Sequence, residues 1–254
     1  MSTLSNNFLT LLDWGRRVDP DGKTAVIAEV LTAYNEILDD IIWKEGNLPT
    51  GHKTTVRAGL PTATWRLLNY GVQPVKSVTN QIVETCGMLE AYSEVDKSLA
   101  DMNSNLSAFR MSEDTAFIEG MGQQFATAMI YGDTSTNPEQ FVGLVPRYYQ
   151  LTGGTAATSK NVLAGGATSS TASTSIWLVG WGEDSVFGIF PKGSKAGLSA
   201  TDKGQVTLWD SQSPAGKYEG YQTHFKWDCG LCVRDWRYVV RIANISYVDL
   251  LTAG

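Results

Sequence analysis

The sequence predicts an α+β fold. Three observations carry that prediction: apolar residues at helical spacing near 23–42 and again near 105–131, a Thr-, Gly- and Pro-rich stretch with extended character between them, and a second half dominated by short apolar strands. Regular alternation of strands and helices, the mark of a doubly wound sheet, is absent. The 254 residues suffice for a sizeable core, and 43% hydrophobic content excludes a disordered chain.

Residues 1–22 read as a polar arm with one apolar cluster around Phe8 and Trp14, ending in turn chemistry at Asp19-Pro20-Asp21-Gly22. Val26, Ile27, Val30, Leu31, Tyr34, Ile37, Leu38, Ile41 and Ile42 then recur every three or four positions, which predicts an amphipathic helix over 23–42. From 43 to about 81 the chain turns to Thr, Gly, Pro, Lys and Arg, with extended pieces at Lys53–Arg57 and Trp65–Leu68. This predicts a two-armed β excursion with little apolar content of its own. Two arms of ~18 residues rising ~3.3 Å each could reach ~60 Å. A globule of this length has a radius of gyration of only ~18 Å, so such an arm would protrude. A lone hairpin is marginal in water and needs another surface to lie on.

Met88–Asp96 alternates, with Leu89, Ala91, Ser93 and Val95 on one side, and predicts a half-exposed strand. Asn105–Tyr131 follows as a long helix with the stripe Phe109, Ala116, Phe117, Met121, Phe125, Ala128 and Met129, stopped by Gly132. At 1.5 Å per residue it spans ~40 Å, long enough to serve as a spine. Residues 152–175 are low in complexity, 20 of 24 being Gly, Ala, Ser or Thr, and predict a flexible surface loop. Strands are expected at Ile176–Trp181, Val186–Phe190 and Val206–Trp209. Tyr218–Trp227 and Arg237–Ile245 should close the chain around a turn near Gly230.

Charge and motifs narrow the function. The net charge of -6 argues against a sequence-reading nucleic-acid binder. No apolar run approaches the ~20 residues of a membrane span, and Met1–Thr10 lacks the pattern of a secretory signal, so a cytoplasmic origin is expected. Cys229-Gly230-Leu231-Cys232 is a CxxC, yet on a strand that spacing points the sulfurs to opposite faces. Zinc would need two further ligands, with only Cys86 and His224 to hand. The weaker alternative is therefore a small cytoplasmic metal-binding or redox protein using Cys229 and Cys232. Gly188–Lys195 resembles a phosphate loop, but Ser194 stands where the lysine should follow the second glycine. With two histidines, His52 and His224, and no G-x-S-x-G, no catalytic, cofactor or metal residues are assigned. Trp43 and Trp65 lie in the excursion, where an aromatic suggests anchoring on a partner.

The order of elements and their wording resemble those of the major capsid proteins of tailed bacteriophages, with the Hong Kong 97-like fold. The similar stretches are Ile37–Asn47, Gly59–Arg66, Ala116–Gly120, Tyr131-Gly132-Asp133, Asn137–Phe141, Phe190–Ser194 and Val233–Tyr238. The resemblance implies an N-terminal arm and helix (1–43) and an E-loop (44–82) lying across a neighbouring subunit. It further implies a P domain with its spine helix (83–131), an A domain (132–215) and a return to the P domain (216–254). Function would be that of a non-enzymatic shell subunit forming pentamers and hexamers around double-stranded DNA, located in the virion and assembled in the host cytoplasm. Lys53, Arg57, Trp65 and Arg66 are the expected interface residues. Expected partners are other copies of the chain, a portal protein, a decoration protein and a separate scaffolding protein. About 43 residues before the excursion leave no room for the cleaved scaffolding segment of some relatives, which implies a separate scaffold or none. DNA would be touched only non-specifically. One relative cross-links an E-loop lysine to an asparagine of a neighbour's P domain. Lys53 and Asn244 lie in those regions without a matching motif, and the reaction is not carried over.

Overall fold

The computed structural model describes residues 36–102, 106–167, 173–210 and 216–252. The arm at 1–22 and most of the helix expected at 23–42 lie outside the described residues. What is described of that helix, α1 (Ile37–Asp40), ends two residues early. The Ile42 carbonyl already accepts from the Gly188 amide, so the backbone has to be extended there.

The remaining order is β1 (Trp43–Glu45), β2 (Gly51–Gly59), β3 (Val78–Thr85), β4 (Gly87–Asp96), α2 (Lys97–Asp101) and α3 (Leu106–Tyr131). Then come β5 (Val162–Ala164), β6 (Ser173–Val179), β7 (Val186–Phe190), β8 (Ser199–Trp209), β9 (Lys217–Val233), β10 (Val239–Ser246) and α4 (Tyr247–Thr252). Mixed helix and strand in this order is the expected α+β class. None of the described helices is long and apolar enough to cross a membrane.

The chain divides into two compact units. One holds 88–126 and 197–227, and the other 39–87, 127–196 and 228–254. In the first, β9 pairs antiparallel with β8 from Ser199↔Lys226 to Trp209↔Lys217 and hydrogen-bonds to β4. β8 is longer than the expected Val206–Trp209, because its first half is held by this ladder and not by apolar alternation. The core gathers Val95, Leu99, Ala100 and Phe109. Phe125 stacks on Trp227 with ring centroids 4.7 Å apart. The helical stripe is as expected except at Ala116, which is exposed.

In the second unit, β1 runs parallel to β7, and β7 lies antiparallel to the end of β9 with Phe187↔Cys232 and Ile189↔Gly230 in register. Phe187, Ile189 and Cys232 form its core, each at most 1% exposed. Strand β9 runs straight through Gly230, which overturns the expected turn. A Cβ there would sit 2.8 Å from the Thr85 carbonyl oxygen, so the glycine serves close packing inside a strand. The reversal comes later, in the 3₁₀ turn Trp236–Tyr238. Asn161 fastens that turn by donating its amide to the carbonyls of Trp236, Arg237 and Val239. Asn161 also ends a 3₁₀ turn, Ala157–Asn161, that leads into β5, which lies parallel to β10. The 152–175 stretch is thus partly built structure rather than one loop, since backbone pairing can use Gly, Ala, Ser and Thr where no apolar pattern announces it.

Candidate functional site

The excursion is the candidate site, and its base and tip are built differently. At the base, the Asn47 side chain brackets Lys53, accepting from its amide at 2.7 Å and donating to its carbonyl at 2.8 Å. Gly51 allows the strands to meet, for a Cβ there would lie 1.9 Å from the Glu84 carbonyl oxygen. From Gly51↔Thr85 to Arg57↔Thr79 every residue of β2 opposes one of β3. The inward face carries buried Thr54, and its hydroxyl lies 3.7 Å from the Cys232 sulfur. Glu84, 5% exposed, receives both terminal guanidinium nitrogens of Arg147 at 2.5 and 2.6 Å. A buried carboxylate is tolerated only with such a partner.

Past a register shift between Arg57 and Gly59, strand pairing stops. Every residue from Leu60 to Val83 is exposed. One turn marks the tip, where the Tyr70 amide donates to the Leu67 carbonyl and Asn69 adopts φ 70°. The expectation of little apolar content is overturned here. Leu60, Trp65, Leu67, Leu68, Tyr70, Val72, Val75, Val78, Ile82 and Val83 are all unburied, with Leu68 at 82% and Trp65 at 101%. The signal that could have shown it is the run Leu67-Leu68 followed by Tyr70, Val72 and Val75, which sits outside any periodic pattern.

All four expected interface residues lie on the excursion. Lys53 and Arg57 share the outward face of β2, while Trp65 and Arg66 occupy the tip, all exposed. Trp43 is different. It is half-buried at the base, and its ring would collide with any Cβ at Gly188. Residues 46–83 carry Lys53, Arg57, Arg66 and Lys76 and not one carboxylate, whereas the remaining residues hold 16 lysines and arginines against 26 acids. A cationic, apolar limb thus belongs to an acidic molecule.

The other candidates have structural explanations. Burial pushes the Cys229 thiol up to about 12, and likewise Cys232 to about 11, so both stay protonated and unreactive near neutrality. Among the described residues no three His, Cys, Asp or Glu side chains gather as a metal site. The metal-binding or redox alternative finds no support in this geometry. Burial, helped by Lys44 and Arg234, lowers the pKa of His52, which sits edge-on to Phe187 as a neutral ring. His224 stacks on Tyr92 beside Glu90. In the phosphate-loop lookalike, the Gly193 amide donates to the Glu45 carboxylate at 2.8 Å, the place an anion would need.

A family model and one solved structure show the family. The profile of the family "major capsid protein GP7" matches residues 19–254. No curated protein matches. Among solved structures, a chain of the cryo-EM structure of bacteriophage Epsilon15 is 34% identical with TM-score 0.79, covering 99% of this chain and 74% of that one. The capsid of a native GTA particle matches at 13% identity and TM-score 0.57, over 90% of this chain and 96% of that one. The capsid of Myoviridae phage XM1 matches at 10% identity and TM-score 0.54, over 86% and 94%. The last two likenesses concern the fold alone, the Hong Kong 97-like capsid fold.

Proposed function

Because the chain belongs to the major capsid protein GP7 family, whose members build the phage head, we propose that its excursion is the limb by which one copy grips the next. The family is structural and not an enzyme class. Many copies close into an icosahedral capsid, and the finer division follows the family plan. Residues 44–82 act as the E-loop, 83–131 with 216–254 as the P domain, and 132–215 as the A domain, after an N-terminal arm and helix at 1–43. Lys53, Arg57, Trp65 and Arg66 make the inter-subunit contact, in pentamers and hexamers alike. A portal protein, a separate scaffolding protein and a decoration protein complete the set of partners, with packaged DNA touched only non-specifically.

The observation that supports this most is the exposed apolar tip. Burying one large apolar side chain is worth about 1.5–3 kcal/mol, so a row of them left in water is a strong drive toward a second surface. Each contact is modest, but in a closed shell every subunit is held by several at once and the contacts act together. Rotationally repeated head-to-tail contacts close into rings, and rings into shells. Electron microscopy of the purified chain, alone and with its scaffold, should show closed shells or capsomers. A monodisperse monomer under every assembly condition would overturn the proposal.

A further inference from the structure

The first compact unit contains an open groove of about 490 Å³ between the N-terminal half of α3 and the sheet of β8 and β9. Phe225 forms its floor, at 1% exposure, while Met111 and Ile118 on its rim are 72% and 47% exposed. Its charged groups are Arg110, Asp114 and Asp202. Arg110 spends its guanidinium on Asp202, at 2.6 and 3.1 Å, and on the Thr223 hydroxyl. With one cation neutralised by two carboxylates, the groove is apolar inside and net negative at the edge.

A second groove, about 480 Å³, is lined in the second unit by Thr55–Leu60, Asp184 and Arg234–Arg237. Its charges are Arg57, Arg234 and Arg237 against Asp184 and Asp235, a net positive balance. The two grooves therefore ask for opposite ligands. Trp65 and Arg66 form an indole next to a guanidinium, the indole fully exposed and the guanidinium's residue exposed in their own chain, both far in sequence from any carboxylate. That pair suits the first groove and is repelled by the second. Trp and Arg are also the residues that most often supply binding energy when seated in a partner's pocket.

The geometry points to a knob-in-groove contact: Trp65 of one copy enters the Phe225 groove of a second copy, with Arg66 over Asp114. This rests on the capsid reading and specifies which surface the excursion meets. The indole fills apolar space between Met111 and Ile118, and the guanidinium reaches a carboxylate to which the Thr223 hydroxyl donates at 3.2 Å. Asp202 already answers Arg110, which leaves Asp114 as the receptor.

Two experiments on the full chain test it. Trp65→Cys and Met111→Cys proteins, both in a Cys86→Ser background, are mixed, assembled and mildly oxidised. A disulfide-linked dimer should appear in the mixture and in neither protein alone. Separately, Arg66→Glu should lower shell yield by about 10-fold, and Asp114→Lys on the same chain should restore it, as expected when a like-charge contact is exchanged for an opposite one. Circular dichroism confirms that each variant is folded, and the cysteine pair needs no charge change at all. Shells that assemble without the mixed disulfide and ignore Arg66→Glu overturn the contact and leave the capsid reading standing. Wild-type protein that never forms shells overturns the capsid reading and the contact together.

Discussion

The tip of the excursion and the β7–β9 core are made of the same kind of residue and end in opposite environments. Val186, Phe187, Ile189 and Leu231 are at most 1% exposed, whereas Leu60, Leu67 and Leu68 are more than 70% exposed. Hydrophobicity alone does not say which surface an apolar side chain is meant to meet. In the core the partner belongs to the same chain and arrives through the β ladder. In the tip, strand pairing ends at Gly59, and residues 60–77 are left uncovered by the described residues of the chain. On the proposed reading of the tip as the assembly limb, stability and assembly are written in separate segments, and each is open to perturbation without the other.

The largest effect should come from cutting the limb. Removing residues 60–77, so that Gly59 joins Val78 by a short turn where the two already pair, should abolish shells while keeping the helical circular-dichroism signal. Loss of that signal would break the comparison, because the tip would then be supporting the fold. In the core, Phe187→Ala should cost about 3–5 kcal/mol in urea unfolding through cavity formation. At the base, Glu84→Ala should cost a similar ~3–5 kcal/mol, since Arg147 would be left charged and largely buried. Leu68→Ala in the tip should shift stability by no more than about 0.5 kcal/mol, as at other exposed positions, yet impair assembly. A large loss of stability there would show the tip to be packed after all.

The smallest effect is electrostatic. Hydrogen bonds from Arg110, joined by the Gly204 amide, hold the Asp202 carboxyl below its usual value of 3.8. A carboxylate with a depressed folded pKa stabilises above its unfolded pKa and loses that contribution as pH falls through the folded one. The stabilisation should therefore be constant near neutrality and fade only below about pH 4, the ordinary Asp range. Urea midpoints for wild type and Asp202→Asn should converge as the solution is acidified through that window. The exposed position of Asp202 keeps the difference small.

Much of this was legible in the sequence where a period exists. Helix α3 lies within one residue of its expected start because Phe109, Met121, Phe125 and Met129 repeat at helical spacing. Strand β4 was legible from its alternation, and the excursion from its turns and composition. What escaped was whatever depends on distant parts of the chain. Gly230 looks like a turn until Thr85 and Ile189 are brought against it. Glu84 and Arg147 stand 63 positions apart and share no local signal. The groove around Phe225 draws on a helix and two strands about a hundred residues away. The apolar load of the tip was visible letter by letter, but no period marked it, and its Thr, Gly and Pro neighbours made the segment look polar.

The uncovered tip also sets a clock. A free subunit displays ten large apolar side chains between Leu60 and Val83, and surfaces of this sort cling to whatever arrives first. The pool of unassembled chains is therefore perishable, and its useful lifetime shortens as its concentration rises. A purification that concentrates the protein before giving it something to build will collect precipitate instead.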